Sequence, residues 1–186
     1  MDDILNFRKE SEYVFFVKDP FVKIGDQDIE FFKKQIPQNS RRGIRFCMHR
    51  DILDPVHEMF ILHSRETYLR PHKHPNKDLS YHIIEGMADM VVFDETGSIL
   101  DVIALGEYGS GRHYFYRLNE VYYYMPLIHS DFLLFRETTN GPFKPSDTVY
   151  APWAVAADDF MALDRFQKEL VSKVNKFIRS SRKTGF

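Results

Sequence analysis

The sequence predicts a mainly β chain, an antiparallel sandwich or barrel with a short helix before it and an amphipathic helix after it. Strand-like runs of alternating apolar and polar residues recur from Ile44 to Glu137, turn formers separate them, and no helical period intervenes. With 186 residues, 44% hydrophobic and 15% aromatic, the chain can bury one real core but is short for two. One domain with appendages is expected: an N-terminal strand and helix extension over residues 1–43, a barrel over 44–140, and a C-terminal arm and helix over 141–186.

The elements follow in order. Residues 13–17 have strand composition, broken by Asp19-Pro20. Asp26 can cap a helix whose apolar side is Ile29, Phe31, Phe32 and Ile36, ending before Pro37. Residues 37–42 read as a loop. Strands then follow at 44–49, 56–63, 68–74 and 79–85, the last reaching Gly86, where the chain can turn sharply. Residues 87–93 and 99–105 flank Asp94-Glu95-Thr96-Gly97, a hairpin signal. Residues 113–118, 121–125 and 132–137 complete the set, with a break near Pro126. After a turn-rich stretch at 142–152, a helix can begin at Asp158 or Asp159. It carries Leu163, Phe166, Leu170, Val174 and Phe177 on one stripe and Lys173, Lys176 and Arg179 in its last turns. That stripe must be covered by the chain's own barrel or by a second subunit, and a homodimer is expected. The basic residues 179–183 read as a solvated tail.

Composition narrows the function. A formal net charge of −2 gives no positive field for nucleic acid or anionic lipid. The longest apolar runs, such as residues 90–93 and 132–135, are far short of the roughly 20 residues that span a bilayer. The N-terminus shows no secretory pattern, and Cys47 is the single cysteine, so a reducing cytoplasm is expected. Cys47 reads as a small buried hydrophobe.

The chemistry centres on Pro71-His72-Lys73-His74-Pro75. Side chains repeat every two residues on a strand, so His72 and His74 leave the same face, near enough for two imidazoles to share a cation. His57 and Glu58 alternate, and at most one of them faces a pocket. Arg45, Cys47 and His49 share a face that either lines a cavity, with Arg45 taking a carboxylate or phosphate in bidentate fashion, or meets water. Tyr122, Tyr123 and Tyr124, with Tyr114 and Tyr116, offer stacking surfaces for a sugar ring or base, or else packing. Trp153 reads as an anchor for the C-terminal arm.

Taken in order, Arg45-Phe46-Cys47-Met48-His49, His57-Glu58-Met59, Arg70-Pro71-His72-Lys73-His74, His82-Ile83-Ile84-Glu85-Gly86, residues 137–143 and Tyr150-Ala151-Pro152-Trp153-Ala154 resemble the motifs of the cupin superfamily. More narrowly, they resemble the WbuC-type cupin-fold metalloproteins associated with bacterial cell-surface polysaccharide gene clusters. The resemblance covers residues 25–155. It implies a cupin-like β-barrel (double-stranded β-helix or jelly roll), and it places His72 and His74 on the first two metal-ligand positions. Leu79 stands where the acidic ligand belongs, with Asp78 one residue away. The last ligand position falls at Tyr124 or Tyr122, and His129 lies past the Pro126 break.

The metal site is therefore degenerate. The cofactor expectation is either none, or a divalent or ferric ion held by His72, His74 and a tyrosine. The resemblance implies a setting in polysaccharide or nucleotide-sugar metabolism and a small-molecule partner, a sugar or nucleotide-sugar. As an enzyme, a sugar isomerase or epimerase fits, in which His72 or His74 removes a proton and Tyr124 or Tyr122 returns one. Arg45, His49, His57, Arg70 and Tyr81 complete the candidate ligand-binding set. The alternatives are a non-catalytic sugar- or carboxylate-binding module, a metalloprotein using His72, His74 and a tyrosine, and a protein that chiefly assembles through its C-terminal helix.

Overall fold

In the computed structural model, residues 6–36 and 43–181 are described, and they form two open sheets packed face to face with one helix on each outer side. The expected loop at 37–42 and the end of the basic tail at 182–186 lie outside the described residues. The seven-stranded sheet has the order β1 (Phe7–Lys9), β2 (Val14–Val17), β3 (Gly43–Cys47), β4 (Val56–Ser64), β11 (Phe132–Asn140), β6 (Leu79–Glu85) and β9 (Phe115–Leu118). The five-stranded sheet has the order β12 (Val149–Tyr150), β5 (His72–Lys73), β10 (Tyr123–Ile128), β7 (Met87–Phe93) and β8 (Ile99–Gly106). All named pairings are antiparallel except β2 with β3.

This is a jelly-roll-like sandwich, and it corrects the expectation of a closed barrel. Among the described residues neither sheet closes on itself, and the one strand-type link outside the two named sheets is an isolated bridge between Leu105 and His113. The sheets are joined at corners by the chain itself. At one corner Gly86 passes from β6 to β7 with φ of +92°, and a Cβ there would lie 2.2 Å from the Phe132 carbonyl oxygen, so the turn requires glycine.

Alternation assigns the faces as the sequence suggests. On β3, Ile44 and Phe46 point outward to α1 (Asp26–Gln35), and Phe32 of that helix stacks on Phe46 at 3.5 Å between centroids. The helix begins one residue earlier than expected. Gly25 is the cap, and the Asp28 carboxylate accepts the Gly25 N–H at 2.9 Å, so Asp26 supplies first-turn charge instead. On the other side, α2 (Phe160–Ser181) lays Phe166, Leu170, Val174 and Ile178 over Val91, Phe93, Tyr123 and Met125 of the five-stranded sheet. The apolar stripe is thus covered by the chain's own sheet. No helix among the described residues is long and apolar enough to cross a membrane. Trp153 packs against Phe93 and Tyr123 and over Gly97 of the 94–97 turn, holding the C-terminal arm to the same surface.

Two strand limits differ for identifiable reasons. β10 runs through Pro126, which pairs with Met90 of β7; on its other side β10 meets β5 only at Tyr124, so no ladder there needs the missing N–H. The segment 68–74 is a strand only at His72–Lys73.

Leu170 is buried beneath α2 and Met161 is 89% exposed on the same helix. Leu170→Ala should therefore cost about 2–4 kcal/mol in urea unfolding, whereas Met161→Ala should stay within about 0.5 kcal/mol. Equal effects would show that α2 does not dock through this stripe.

Candidate functional site

The inner faces of the two sheets enclose a cavity of about 980 Å³, within the size range of small-molecule sites. Its seven-stranded wall is made by alternate residues of β4 (His57, Met59, Ile61, His63), with Arg45 from β3, Leu79, Tyr81 and Ile83 from β6, and Phe135, Glu137 and Thr139 from β11. The opposite wall centres on His72. It pairs across the sheet with Tyr124 on one side and Tyr150 on the other, so all three side chains share the cavity face.

The histidine pair is built as the period-two reading requires. The rings of His72 and His74 stand 5.0 Å apart, edge to face, with Tyr124 4.8 Å from His72 and 6.1 Å from His74. His72 Nδ1 lies 2.8 Å from the Arg70 carbonyl and His74 Nδ1 lies 2.9 Å from the Asp147 carbonyl. A carbonyl only accepts, so each ring carries its proton on Nδ1 and keeps Nε2 as an acceptor. Burial pushes His72 down to about 4, so it is neutral at pH 7. Lys77 fixes the Asp147 segment: its ammonium donates to the carbonyls of Asn140 and Pro142 at 2.7 and 2.6 Å and pairs with Asp147 at 3.4 Å.

Across the sandwich the Tyr81 hydroxyl donates to the Tyr124 hydroxyl at 3.1 Å, linking the two sheets inside the cavity. Burial, reinforced by the nearby Glu137 carboxylate, holds both phenols well above their usual range. They are neutral donors and acceptors.

The other candidates divide. Arg45, His57 and Arg70 line the cavity. Arg45 and Arg70 each have a buried Nε without a partner; Arg70 donates from Nη2 to the Ala151 carbonyl at 3.0 Å and lies over the Tyr150 ring at 5.3 Å. His49 does not line it. β3 ends at Cys47 and the chain bends, placing His49 flat against His57 at 3.9 Å with Nδ1 3.2 Å from the Glu58 carbonyl. Tyr122 is also outside, preceding β10 and donating to Glu120 at 2.6 Å, which removes it as a proton donor to the cavity. Cys47 faces inward, and burial pushes its thiol up to about 12, so it is inert packing. Glu58 points outward toward Arg136.

The metal positions test the donor set directly. Leu79 points inward and is buried, whereas Asp78 points away and pairs with Arg117 at 3.5 Å. His129 sits past the end of β10, 2.8 Å from Asp89 and off the cavity wall. Among the described residues no three histidine, cysteine or carboxylate groups converge. Two imidazoles beside a neutral, hydrogen-bonded phenol do not fit the three or four protein ligands of an ordinary site.

Residues that the sequence reading passed over complete the site. Glu137 is half-buried on the wall, and its carboxylate has no hydrogen bond or ion pair with a described residue. His63 lies over Gly43, where a Cβ would meet its ring at 2.3 Å; burial, with Arg45 nearby, pushes it to about 3. Both could have been found by continuing the alternation, Glu137 from Leu133 and Phe135, and His63 from His57. Tyr150 had no such signal.

A scan against protein families matches residues 24–105 to a domain of unknown function, DUF6016, over less than half of the chain. No curated protein matches. Among solved structures, protein SO0799 from Shewanella oneidensis superposes with a TM-score of 0.55 at 14% identity, covering 82% of this chain and 97% of that one. The likeness is one of fold. Looser superpositions include the capsular polysaccharide assembling protein CapF from Staphylococcus aureus (TM-score 0.45, 14% identity, 58% of this chain and 28% of that one). Another is oxalate decarboxylase from Bacillus subtilis (TM-score 0.41, 15% identity, 53% and 24%).

The buried histidines set an acid limit on stability. His49 and His72 fall to about 4 and His63 to about 3, against an ordinary 6.5, so the unfolded chain binds these protons more tightly than the folded one. Their contribution is complete above about pH 6.5 and is lost as the pH falls toward 4. Urea unfolding should show about 1 kcal/mol lost through His72 alone between about pH 7.5 and 5.5, and His72→Gln should flatten that part of the slope. An unchanged slope would assign the acid loss to other groups.

Proposed function

We propose that this chain is a cupin-like protein that binds a small polar molecule between its sheets. The observation that carries the reading is the cavity itself: about 980 Å³, lined by Arg45, Arg70 and Glu137 together with two imidazoles fixed by backbone carbonyls. Charged and polar side chains gathered around one hollow suit a ligand that supplies their partners. The motif order over residues 45–154 supports WbuC-type kinship and, through it, a role in surface polysaccharide or nucleotide-sugar metabolism.

If the protein turns its ligand over, the chemistry available is proton transfer. His72 or His74, each donating from Nδ1 to a carbonyl, offers Nε2 to remove a proton, and Tyr124, accepting from Tyr81, keeps its own proton to return. One observation favours a second reading, a non-catalytic binding module. Burial that pushes His72 down to about 4 makes it a weak base.

Thermal-shift measurement against neutral sugars, sugar acids, sugar phosphates and nucleotide-sugars tests the binding. At least one class should stabilise the protein, and His72→Ala and Tyr124→Phe should each weaken that ligand by about tenfold. No stabilisation by any class would refute the reading. For a ligand that binds, deuterium uptake at its carbon atoms in D2O separates the two versions. Uptake lowered about a hundredfold or more by His74→Ala supports the isomerase; binding without uptake supports the module.

A further inference from the structure

We propose that the cavity is built for a polyhydroxylated monocarboxylate, a sugar acid whose carboxylate lies against Arg45 and whose hydroxyls meet Glu137, His72 and His74. This rests on the ligand-binding reading above and names its ligand class.

The first argument is a pair that does not form. Arg45 and Glu137 both line the cavity, where opposite charges attract far more strongly than in water. Yet neither makes an ion pair with the other or with any described residue. Register holds them apart: Arg45 on β3 lies opposite Ile61 of β4, Glu137 on β11 lies opposite Met59 of β4, and so β4 and one step of its pleat separate them. Each charge is left open toward the cavity rather than neutralised by the protein.

The second argument is the inventory of hydrogen-bonding groups. The Arg45 guanidinium lines the cavity, is donor-only, and ends in a fork shaped for a carboxylate. Arg70 is different, because Nη2 is already held by Ala151 and its face by Tyr150, so it adds one donor near the mouth. Elsewhere on the wall Thr139 and Tyr124 carry hydroxyls that can donate or accept, and Lys77 is already held by two carbonyls and Asp147. His72 and His74 use their Nδ1 protons on carbonyls and present Nε2, and Glu137 only accepts. A ligand that complements this wall needs an anionic acceptor at one end and several donors along the rest, which a carboxylate followed by hydroxyls supplies. A neutral sugar leaves Arg45 uncompensated. A phosphate brings a second negative charge to a wall where Glu137 stands unpaired, while Lys77 is taken up by Asp147 and two carbonyls and Arg70 by the Ala151 carbonyl.

Isothermal titration of the full chain with D-gluconate, D-glucuronate, D-glucose and D-glucose 6-phosphate tests this. At least one of the two acids should bind about tenfold or more tighter than glucose and than the phosphate, and Arg45→Met should erase that preference. Glu137→Gln should narrow the gap to the phosphate, because it removes the repelling charge. The wild-type comparison is decisive without any variant, so a misfolded Arg45→Met protein does not obscure it. If the phosphate binds as tightly as the acids, or if the acid preference survives Arg45→Met, the sugar-acid assignment falls and the ligand-binding reading stands. If none of the four binds but another ligand class does, the assignment alone falls again; if no class binds, both fall.

Discussion

Two cross-strand pairs, Tyr124 with His72 and His72 with Tyr150, organise the five-stranded wall of the cavity. β5 is only two residues long, so these pairs are most of what ties it to its sheet. They are reinforced from outside the ladder. The Ala151 N–H donates to the Pro71 carbonyl, Arg70 donates to the Ala151 carbonyl, and His74 donates to the Asp147 carbonyl, so the arm at 145–151 and the segment at 70–74 hold one another in place. One of these bonds sets the His74 tautomer, and the Arg70 carbonyl sets that of His72 from within its own segment. Structure and site chemistry are here one network, and loosening the arm would free the His74 ring as well.

The facing wall obeys a simpler rule. Four neighbouring strands, β3, β4, β11 and β6, pair over long registers, and alternation alone brings Arg45, His57, His63, Glu137 and Tyr81 to the inner side while Ile44, Phe46, Leu62 and Leu134 go outward to α1. The inner polar groups sit among apolar neighbours such as Ile61, Leu79 and Phe135, and the outer faces bury two further apolar clusters. Phe32, Phe46 and Leu134 on one side and Val91, Phe93 and Leu170 on the other supply cores that do not depend on the cavity's being filled. The Tyr81–Tyr124 hydrogen bond then couples the two walls at depth, in a setting where an unmade partner would be costly.

Much of this was legible along the chain because period two is a local property. It placed His72 beside His74, turned His57 inward and Glu58 outward, and put Leu79 rather than Asp78 on the inner face. The helix stripe from Phe166 to Val174 was legible for the same reason, though its partner was not. What failed depended on distant neighbours. Whether the sheets close into a barrel is decided by pairing at their edges, not by any strand's own pattern. Pro126 reads as a breaker until its empty side is known, and His49 reads as in-phase until the bend after Cys47 is seen. Tyr150 reaches the site through β12, whose two residues carry no periodic signal. Glu137 was passed over because attention followed motif positions; its phase with Phe135 already placed it inside.

At the positions that the resemblance assigns to metal ligands, the groups present are arranged for hydrogen bonding. Hydrogen bonding of Nδ1 to a carbonyl orients a histidine whether Nε2 then meets a cation or a hydroxyl. Leu79 is inward, Asp78 is turned to Arg117 and the Asp147 carboxylate is paired with Lys77, so among the described residues no group of three metal ligands forms around the pair. Tyr124, kept neutral by burial, supplies a proton donor at the remaining corner. Arg45 and Glu137 stand on the opposite wall, held apart by β4 and paired with no described residue. On the ligand-binding reading proposed above, recognition depends on bridging the two walls, and so on the spacing that the Tyr81–Tyr124 bond maintains between them.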